Sequence, residues 1–185
     1  MKMKRFICIS LTLMMVLGAA CTTAADETTF KTAYFTLTLP DGWEYDTEDL
    51  EKDTESQMEE LGYFGASDEV GLVASAYLIY YEDLKNLALW SSDENELQAY
   101  AEAVLEDFAE DHPTWLGTVL ADRIPFILIQ ATDEDGEYLY ADTITNGYAI
   151  VFMAYVIDSE ENILPMTDAY IEQFKQVLTT FKPVS

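Results

Sequence analysis

After Pro113 the chain becomes a run of strand-like segments joined by short turns, and this run constrains the fold more than any other feature. The segments are Trp115 to Ala121, Ile124 to Thr132, Glu137 to Thr145, and Tyr148 to Ile157. Strands joined by such short connections run antiparallel, so the run predicts a meander. Asn146-Gly147 is the pair favoured in two-residue hairpins, because both residues tolerate positive φ, and residues 133–136 predict the preceding hairpin.

Two earlier segments are also predicted to be strands. Residues Tyr34 to Leu39 alternate, with one apolar face, and the Pro-Asp-Gly turn at 40–42 stops the strand. The segment from Val70 to Tyr81 is apolar on both faces and rich in Val, Ile and Tyr. This composition is typical of a strand buried near the centre of a sheet.

Three helices are predicted around these strands. Between Thr47 and Leu61, the apolar residues Leu50, Met58 and Leu61 fall on one side of a helical wheel amid many acidic residues. The clearest helix runs from Glu94 to Glu110, where apolar residues follow the i, i+3, i+4, i+7 spacing. A final amphipathic helix is predicted from Pro165 to Phe181.

The length and composition favour one folded domain. The chain has 185 residues, of which 50% are hydrophobic and 24% charged, so it can bury a real core and is not typical of a disordered chain. We therefore predict a single α+β domain over residues 30–185.

The amino terminus has the three parts of an export signal. Lys2, Lys4 and Arg5 precede an apolar run from Phe6 to Leu17, which is followed by small residues at 18–20. The apolar run is shorter than the roughly 20 residues that a helix needs to span a bilayer. Residues 1–20 are therefore predicted to be a signal peptide.

Both cysteines lie in the first 21 residues, at Cys8 and Cys21. The stretch Leu-Gly-Ala-Ala-Cys that ends at Cys21 resembles the lipobox of bacterial lipoproteins, in which the cysteine is acylated and becomes the new terminus. This resemblance implies extracytoplasmic localisation with a lipid on Cys21, and a polar tether over residues 21–29. The alternative is cleavage after Ala20 or Ala25, which would give a freely secreted protein.

The charge of the chain excludes some partners. Nine basic residues stand against 35 acidic ones, and three of the basic residues belong to the predicted signal peptide. Such a surface repels phosphate backbones and anionic headgroups, so neither nucleic acid binding nor electrostatic docking to anionic lipid is expected. Cations and basic proteins remain plausible partners, while the acidity could also serve solubility alone.

An acidic cluster at the end of the clearest helix is the candidate site. Glu106, Asp107, Glu110 and Asp111 lie where the helix dipole is already negative. This local conflict predicts a site for a cation or a basic partner. The overall acidity of the chain offers the simpler explanation that the cluster arose by chance.

Signals of catalysis or of a cofactor are weak. His112 is the single histidine and is predicted to lie in a loop or to cap a helix, and no G-x-S-x-G motif occurs. Asp133-x-Asp135-Gly136 resembles the opening of a calcium loop but lacks the remaining ligands, which favours a plain hairpin. We therefore expect that the protein is not an enzyme, and that it has no cofactor and no metal centre of the zinc or copper type.

Aromatic residues offer one further candidate surface. Five of them could line a groove for sugar or peptide, although aromatic residues in a fold of this size usually fill the core. They are Trp43, Tyr63, Phe64, Trp90 and Trp115.

The order of elements carries a family resemblance. A motif Phe-x-Leu-x-Leu-Pro-x-Gly-Trp at 35–43, a central helix, a meander and a closing helix ending in Thr-Phe-Lys at 180–182 are present. From Phe30 to Pro183 the chain resembles the PsbP-like/Mog-fold superfamily, which includes DcrB-like bacterial lipoproteins. The resemblance implies an antiparallel sheet flanked by helices in an α/β/α sandwich. It also implies an accessory or partner-binding role and no catalytic residues.

Together these patterns predict a noncatalytic accessory domain of the cell envelope, anchored through Cys21, whose partner is another envelope protein. The alternative is a lipoprotein that binds a small ligand or a cation such as calcium through the acidic cluster. Neither the identity of the partner nor the oligomeric state follows from the sequence.

Overall fold

The chain forms twelve strands and two α-helices within the residues that this computed structural model describes, which are 28–48, 50, 52–53 and 58–184. The strands are β1 (Thr29–Lys31), β2 (Phe35–Thr38), β3 (Trp43–Asp46), β4 (Lys52–Asp53), β5 (Met58–Ala66), β6 (Val70–Tyr80), β7 (Thr114–Ala121), β8 (Ile124–Thr132), β9 (Glu137–Thr145), β10 (Tyr148–Asp158), β11 (Ile163–Leu164) and β12 (Lys182–Pro183). The helices are α1 (Glu94–Asp107) and α2 (Asp168–Thr179), and short 3₁₀ turns occupy Glu82–Leu84, Leu89–Ser91 and Ala109–Asp111. The predicted signal peptide and Cys21 lie outside the described residues.

The main sheet is antiparallel and contains nine of these strands. Its order is β3-β5-β6-β10-β9-β8-β7, while β4 pairs with β5 and β11 pairs with β10. The predicted meander is confirmed as β7 to β10, and the predicted buried strand is β6, which lies between β5 and β10. Asn146 and Gly147 form the last hairpin with φ values of 52° and 83°, as their sequence predicts.

A three-stranded sheet in the order β1-β2-β12 packs with α2 on one face of the main sheet, which we call face 1. The core between these layers is rich in phenylalanine. The ring of Phe152 on β10 lies 5.4 Å from Phe35 of β2, 6.0 Å from Phe64 of β5 and 5.9 Å from Phe126 of β8. These contacts join the small sheet to the centre of the main sheet.

The opposite face, which we call face 2, is covered in part by α1. A capping box begins this helix, because the Asp93 carboxylate accepts from the Glu96 amide and the Glu96 carboxylate accepts from the Asp93 amide. Ala101 and Val104 of α1 are buried in a second core that includes Ile127 of β8, and α1 contacts β7 and β8. The helix therefore lies over one half of face 2.

The predicted α/β/α sandwich is wrong, because strands dominate the described structure. It contains two α-helices, one against each face of the main sheet. On face 1 much of the cover comes from the three-stranded sheet instead of a helical layer. The physical reason is that Phe30, Phe35 and Leu37 alternate in β1 and β2, so paired strands can bury them as well as helices can.

The helix predicted from Thr47 to Leu61 is also wrong. The described part of this segment contains β4 and the start of β5, while residues 49, 51 and 54–57 lie outside the described residues. Here Met58 pairs with Ile79 of β6, and the ladder continues past a bulge between Glu60 and Gly62. Pairing with the long strand β6 extends from Met58 to Gly65 and satisfies backbone groups along β5, which outweighs a weak helical pattern.

The other predicted elements are confirmed, with shifts at their ends. The first predicted strand corresponds to β2, and its apolar residues are buried. The clearest helix ends at Asp107 and is followed by the 3₁₀ turn Ala109–Asp111, so its last turn is tighter than predicted. The closing helix begins at Asp168 and ends at Thr179.

Gly62 allows the small sheet to approach the bulge in β5, and a matched pair of variants can test this. A Cβ at Gly62 would lie 2.6 Å from the Asp46 carbonyl oxygen and 2.9 Å from Cε2 of Phe30, whereas a Cβ at Gly117 would have no atom within 4 Å. Both glycines have positive φ, at 133° and 105°. We expect Gly62→Ala to lower the free energy of unfolding in urea by about 1–3 kcal/mol more than Gly117→Ala. Equal losses would show that backbone strain alone explains both.

Candidate functional site

The acidic cluster predicted from the sequence lies at the end of α1 and in the 3₁₀ turn that follows. Glu106, Asp107 and Glu110 are exposed, and Asp111 is half-buried. Asp111 turns toward the sheet, where its Oδ2 accepts a hydrogen bond of 3.0 Å from the Tyr138 hydroxyl. Among the described residues, no group of three or more His, Cys, Asp or Glu side chains is placed to hold a metal ion.

His112 and the calcium-like turn occupy structural positions. His112 is exposed and ends the 3₁₀ turn in the left-handed conformation, with φ 49°, which agrees with the predicted loop or capping role. Oδ1 of Asp133 accepts from the backbone amides of Asp135 at 2.9 Å and Gly136 at 3.1 Å. This carboxylate therefore stabilises its own hairpin turn.

The five aromatic residues considered for a groove are dispersed. Trp43 and Phe64 are buried with their rings stacked 6.2 Å apart, so they belong to the core. Trp115 is half-buried, and its indole N–H donates to the Gly117 carbonyl at 2.9 Å. Trp90 stands 59% exposed on a 3₁₀ turn. Tyr63 is half-buried on face 2, opposite Ser75 of β6.

Sequence reasoning missed a buried carboxylate, Asp142 of β9. This side chain is 1% exposed and lies on face 2, paired across the strands with Ile127 and Val151. The Tyr100 hydroxyl of α1 donates a hydrogen bond to Oδ2 of Asp142. Oδ1 has no hydrogen-bond partner among the described residues. A carboxylate in the middle of β9, directly after the apolar run Tyr138 to Ala141, was the signal that could have marked this position.

Burial perturbs the proton equilibria around Asp142. Desolvation raises the pKa of Asp142 to about 7, and hydrogen bonds from Tyr100 and Tyr140 lower it in part. Burial, together with the nearby Asp142 carboxylate, raises the pKa of Tyr81 to about 12 and the pKa of Tyr100 and Tyr140 further. The cluster therefore links α1, β9 and the end of β6 through one carboxylate that is costly to ionise.

Among the described residues, the half of face 2 beyond α1 is only partly covered. Along β6 and β10, residues that point to face 1 are mostly buried, while those that point to face 2 are mostly half-buried. We call this surface the tyrosine face and define it by Tyr63, Val73, Ser75, Tyr77, Met153 and Tyr155, all half-buried. Strand pairing aligns them, because Ser75 lies opposite both Tyr63 of β5 and Met153 of β10.

Carboxylates border the tyrosine face on both sides. On one side, Glu60 lies opposite Tyr77 and accepts a hydrogen bond from the Tyr63 hydroxyl. On the other side, Tyr155 packs against Tyr138 with ring centres 5.7 Å apart, and Tyr138 donates to Asp111. Burial, followed by the charges of Asp133, Asp135 and Asp111, raises the pKa of Tyr155. The tyrosine face therefore lies in a negative field.

Basic residues lie elsewhere. The strands β3, β5, β6, β9 and β10 contain no lysine or arginine. Lys31 of β1, Lys175 of α2 and Lys182 of β12 belong to the layer on face 1. Lys85 pairs with Glu82 at 2.6 Å. Lys52 of β4 lies opposite Glu59 of β5, and Arg123 lies in the turn between β7 and β8, so the basic residues of the described chain lie outside the central strands.

Neither a model of a known protein family nor a curated protein matches the chain. The resemblance to the PsbP-like/Mog-fold superfamily therefore stays a prediction. Both α1 and α2 are too short and too polar to cross a bilayer, and the described residues contain no other α-helix.

The raised pKa of Asp142 predicts how stability depends on pH. Between the ordinary value of 3.8 and about 7, the folded protein binds more protons at this site than the unfolded chain does. The contribution of Asp142 to stability is therefore complete at acidic pH and is lost as the pH rises through 7. Over roughly three pH units this loss reaches about 4 kcal/mol.

Asp142→Asn removes the charge with little change of shape. We expect the variant to gain stability relative to the wild type as the pH rises from about 4.5 to about 8, measured by urea unfolding at each pH. Asp107→Asn, an exposed carboxylate on α1, is the control and should show a much smaller trend. A constant difference between Asp142→Asn and the wild type across this range would contradict the prediction.

Proposed function

We propose that the protein is a noncatalytic accessory domain of the cell envelope that binds another envelope protein through the tyrosine face. In this proposal an export signal directs the chain out of the cytoplasm, and a lipid on Cys21 holds it at a membrane. The domain then acts as a tethered binding module.

The half of face 2 that the described residues leave partly uncovered is the observation that carries this proposal. Half-buried tyrosine and methionine side chains adjoin one another on three paired strands. Tyrosine and methionine are enriched at protein interfaces, because they bury much apolar area and adapt to a partner. Contiguous apolar surface of this kind typically marks a site of interaction.

The predicted tether leaves the tyrosine face accessible. Seven residues lead from Cys21 to Thr28, which spans at most about 25 Å if fully extended. The chain then enters β1, in the layer on face 1. A lipid on Cys21 would therefore attach the domain from the layer opposite the tyrosine face.

Calcium binding, the alternative prediction, has less support. The Asp111 carboxylate already accepts a hydrogen bond from Tyr138, and the Asp133 carboxylate accepts two from its own turn. A calcium ion takes six to eight oxygen ligands, which these separate carboxylates do not gather at one point.

Lipid attachment can be tested with the two cysteines as a matched pair. We expect Cys21→Ala to move the protein from the membrane fraction to the soluble fraction, because it removes the acylated thiol. Cys8→Ala should leave the distribution unchanged, since Cys8 lies within the apolar run. Fractionation of the native host followed by immunoblotting measures both. If Cys21→Ala stays with the membrane as the wild type does, the anchor is not on this residue.

Partner binding through the tyrosine face can be tested by site-specific photocrosslinking. A photoreactive residue at Ser75 lies at the centre of the face, and one at the exposed Gln176 of α2 is the control on the other side of the domain. In the native host we expect Ser75 to give a reproducible adduct of defined mass that Gln176 does not give. Adducts from both positions, or from neither, would contradict binding through this face.

A further inference from the structure

We infer that the tyrosine face binds an amphipathic helix of the partner protein, with an apolar stripe flanked by lysine and arginine, lying beside α1 on the same face. This inference rests on the proposed function, since it names the kind of partner that the face fits. The inference rests on the width of the open surface, the chemistry of its centre and the charge of its borders.

The width of the open surface fits one helix. From β5 to β10 there are two strand spacings, which span about 10 Å, because the face-2 side chains of the next strand, β9, are already buried. A helix packs at about 8–10 Å from its neighbour. On the other half of face 2, α1 packs over β7 and β8 as a single helix. A second helix from a partner would complete the same layer.

The centre of the surface favours both apolar and cationic groups. Val73 and Met153 offer apolar contact, while the rings of Tyr63, Tyr77 and Tyr155 can accept a cation over their faces. Lysine and arginine side chains suit such a site, since their aliphatic stems pack on apolar surface and their charged ends reach the border.

The borders favour positive charge on both flanks of the bound helix. Glu44 and Asp46 lie opposite Gly65 and Tyr63 on the β3 side, close to Glu60. On the opposite border, the Asp111 carboxylate accepts a hydrogen bond from Tyr138, and the ring of Tyr138 packs against Tyr155 of the tyrosine face. Because no lysine or arginine lies in these strands, a basic partner meets attraction on both sides and an acidic one meets repulsion.

The Tyr155 hydroxyl is an unsatisfied polar group beneath the tyrosine face. This oxygen is buried and has no hydrogen-bond partner among the described residues, although an unsatisfied buried hydroxyl is costly. Because this atom has less than 1 Å² of accessible area, it can contact a bound helix only after the Tyr155 side chain changes its rotamer. An anionic membrane is disfavoured as the occupant of the tyrosine face, because the acidic border repels a negatively charged surface.

Synthetic peptides provide the probe. The first is a helix of about five turns with a leucine stripe flanked by lysines, the second has glutamate in place of lysine, and the third is a scramble of the first. Each carries a fluorophore, and binding is followed by anisotropy. The full chain is held in nanodiscs of neutral lipid, and empty nanodiscs serve as the blank. We expect the first peptide to bind at least about tenfold more tightly than either of the others.

Two charge-matched pairs of variants locate the binding. Ser75→Arg places a positive charge at the centre of the face, and Gln176→Arg places the same charge on α2. Glu44→Lys and Glu172→Lys repeat the comparison at exposed positions on the border and on α2, in case Ser75→Arg fails to fold. In each pair, we expect the first variant to weaken binding by about tenfold and the second by less than about twofold.

Equal binding of the scrambled peptide, or equal losses within both pairs, would overturn the inference, because bulk acidity would then explain the result. This outcome is distinct from failure of the proposed function. An adduct from a photoreactive residue at Ser75 without stripe-dependent peptide binding leaves the proposed function standing and rejects only the helical basic partner.

Discussion

The packing of Phe152 against rings from three other strands is the contact on which the architecture depends. It lies near the middle of the main sheet and meets Phe35 of the small sheet, Phe64 of β5 and Phe126 of β8. Aromatic pairs at such distances add about 0.5–1.5 kcal/mol each beyond the burial of their area. Because these rings join both sheets, face 1 is closed by strands and α2, while face 2 is covered by α1 and by the 3₁₀ turn Leu89–Ser91, whose Leu89 is buried against β8 and β9.

One helix cannot cover face 2, and this explains why the tyrosine face is open. Seven strands on the main path of the sheet span about 29 Å. A packed helix occupies about 8–10 Å of that width, which corresponds to two or three strands. The uncovered strands are therefore those farthest from β7. They are also the strands on which tyrosine and methionine replace the smaller apolar residues of face 1, such as Ala74 and Ala154.

Local sequence patterns correctly predicted the elements that are stabilised by residues close to one another in the chain. The hairpin at Asn146-Gly147, the alternating β2 and the capped α1 all follow from neighbouring residues. The segment from Thr47 to Leu61 was predicted wrongly, since pairing with β6 decides its structure. The predicted α/β/α sandwich was wrong because strands, and not only helices, can cover the face of a sheet. The tyrosine face and the burial of Asp142 under α1 were beyond prediction, since both depend on strand order and on which side the small sheet and α1 pack, although the position of Asp142 within β9 was visible in the sequence.

The two faces consequently contribute unequally to stability. Face 1 gains from a nearly complete core of phenylalanine and aliphatic residues, whereas face 2 carries the desolvated carboxylate of Asp142 under α1 and leaves its other half exposed. Val151 alone separates Asp142 from Tyr77 across the strands, so the costly carboxylate adjoins the tyrosine face. A partner that binds only the folded protein stabilises it, by an amount set by the ratio of its free concentration to its Kd. The closed face thus maintains the fold, while the open face remains free to bind.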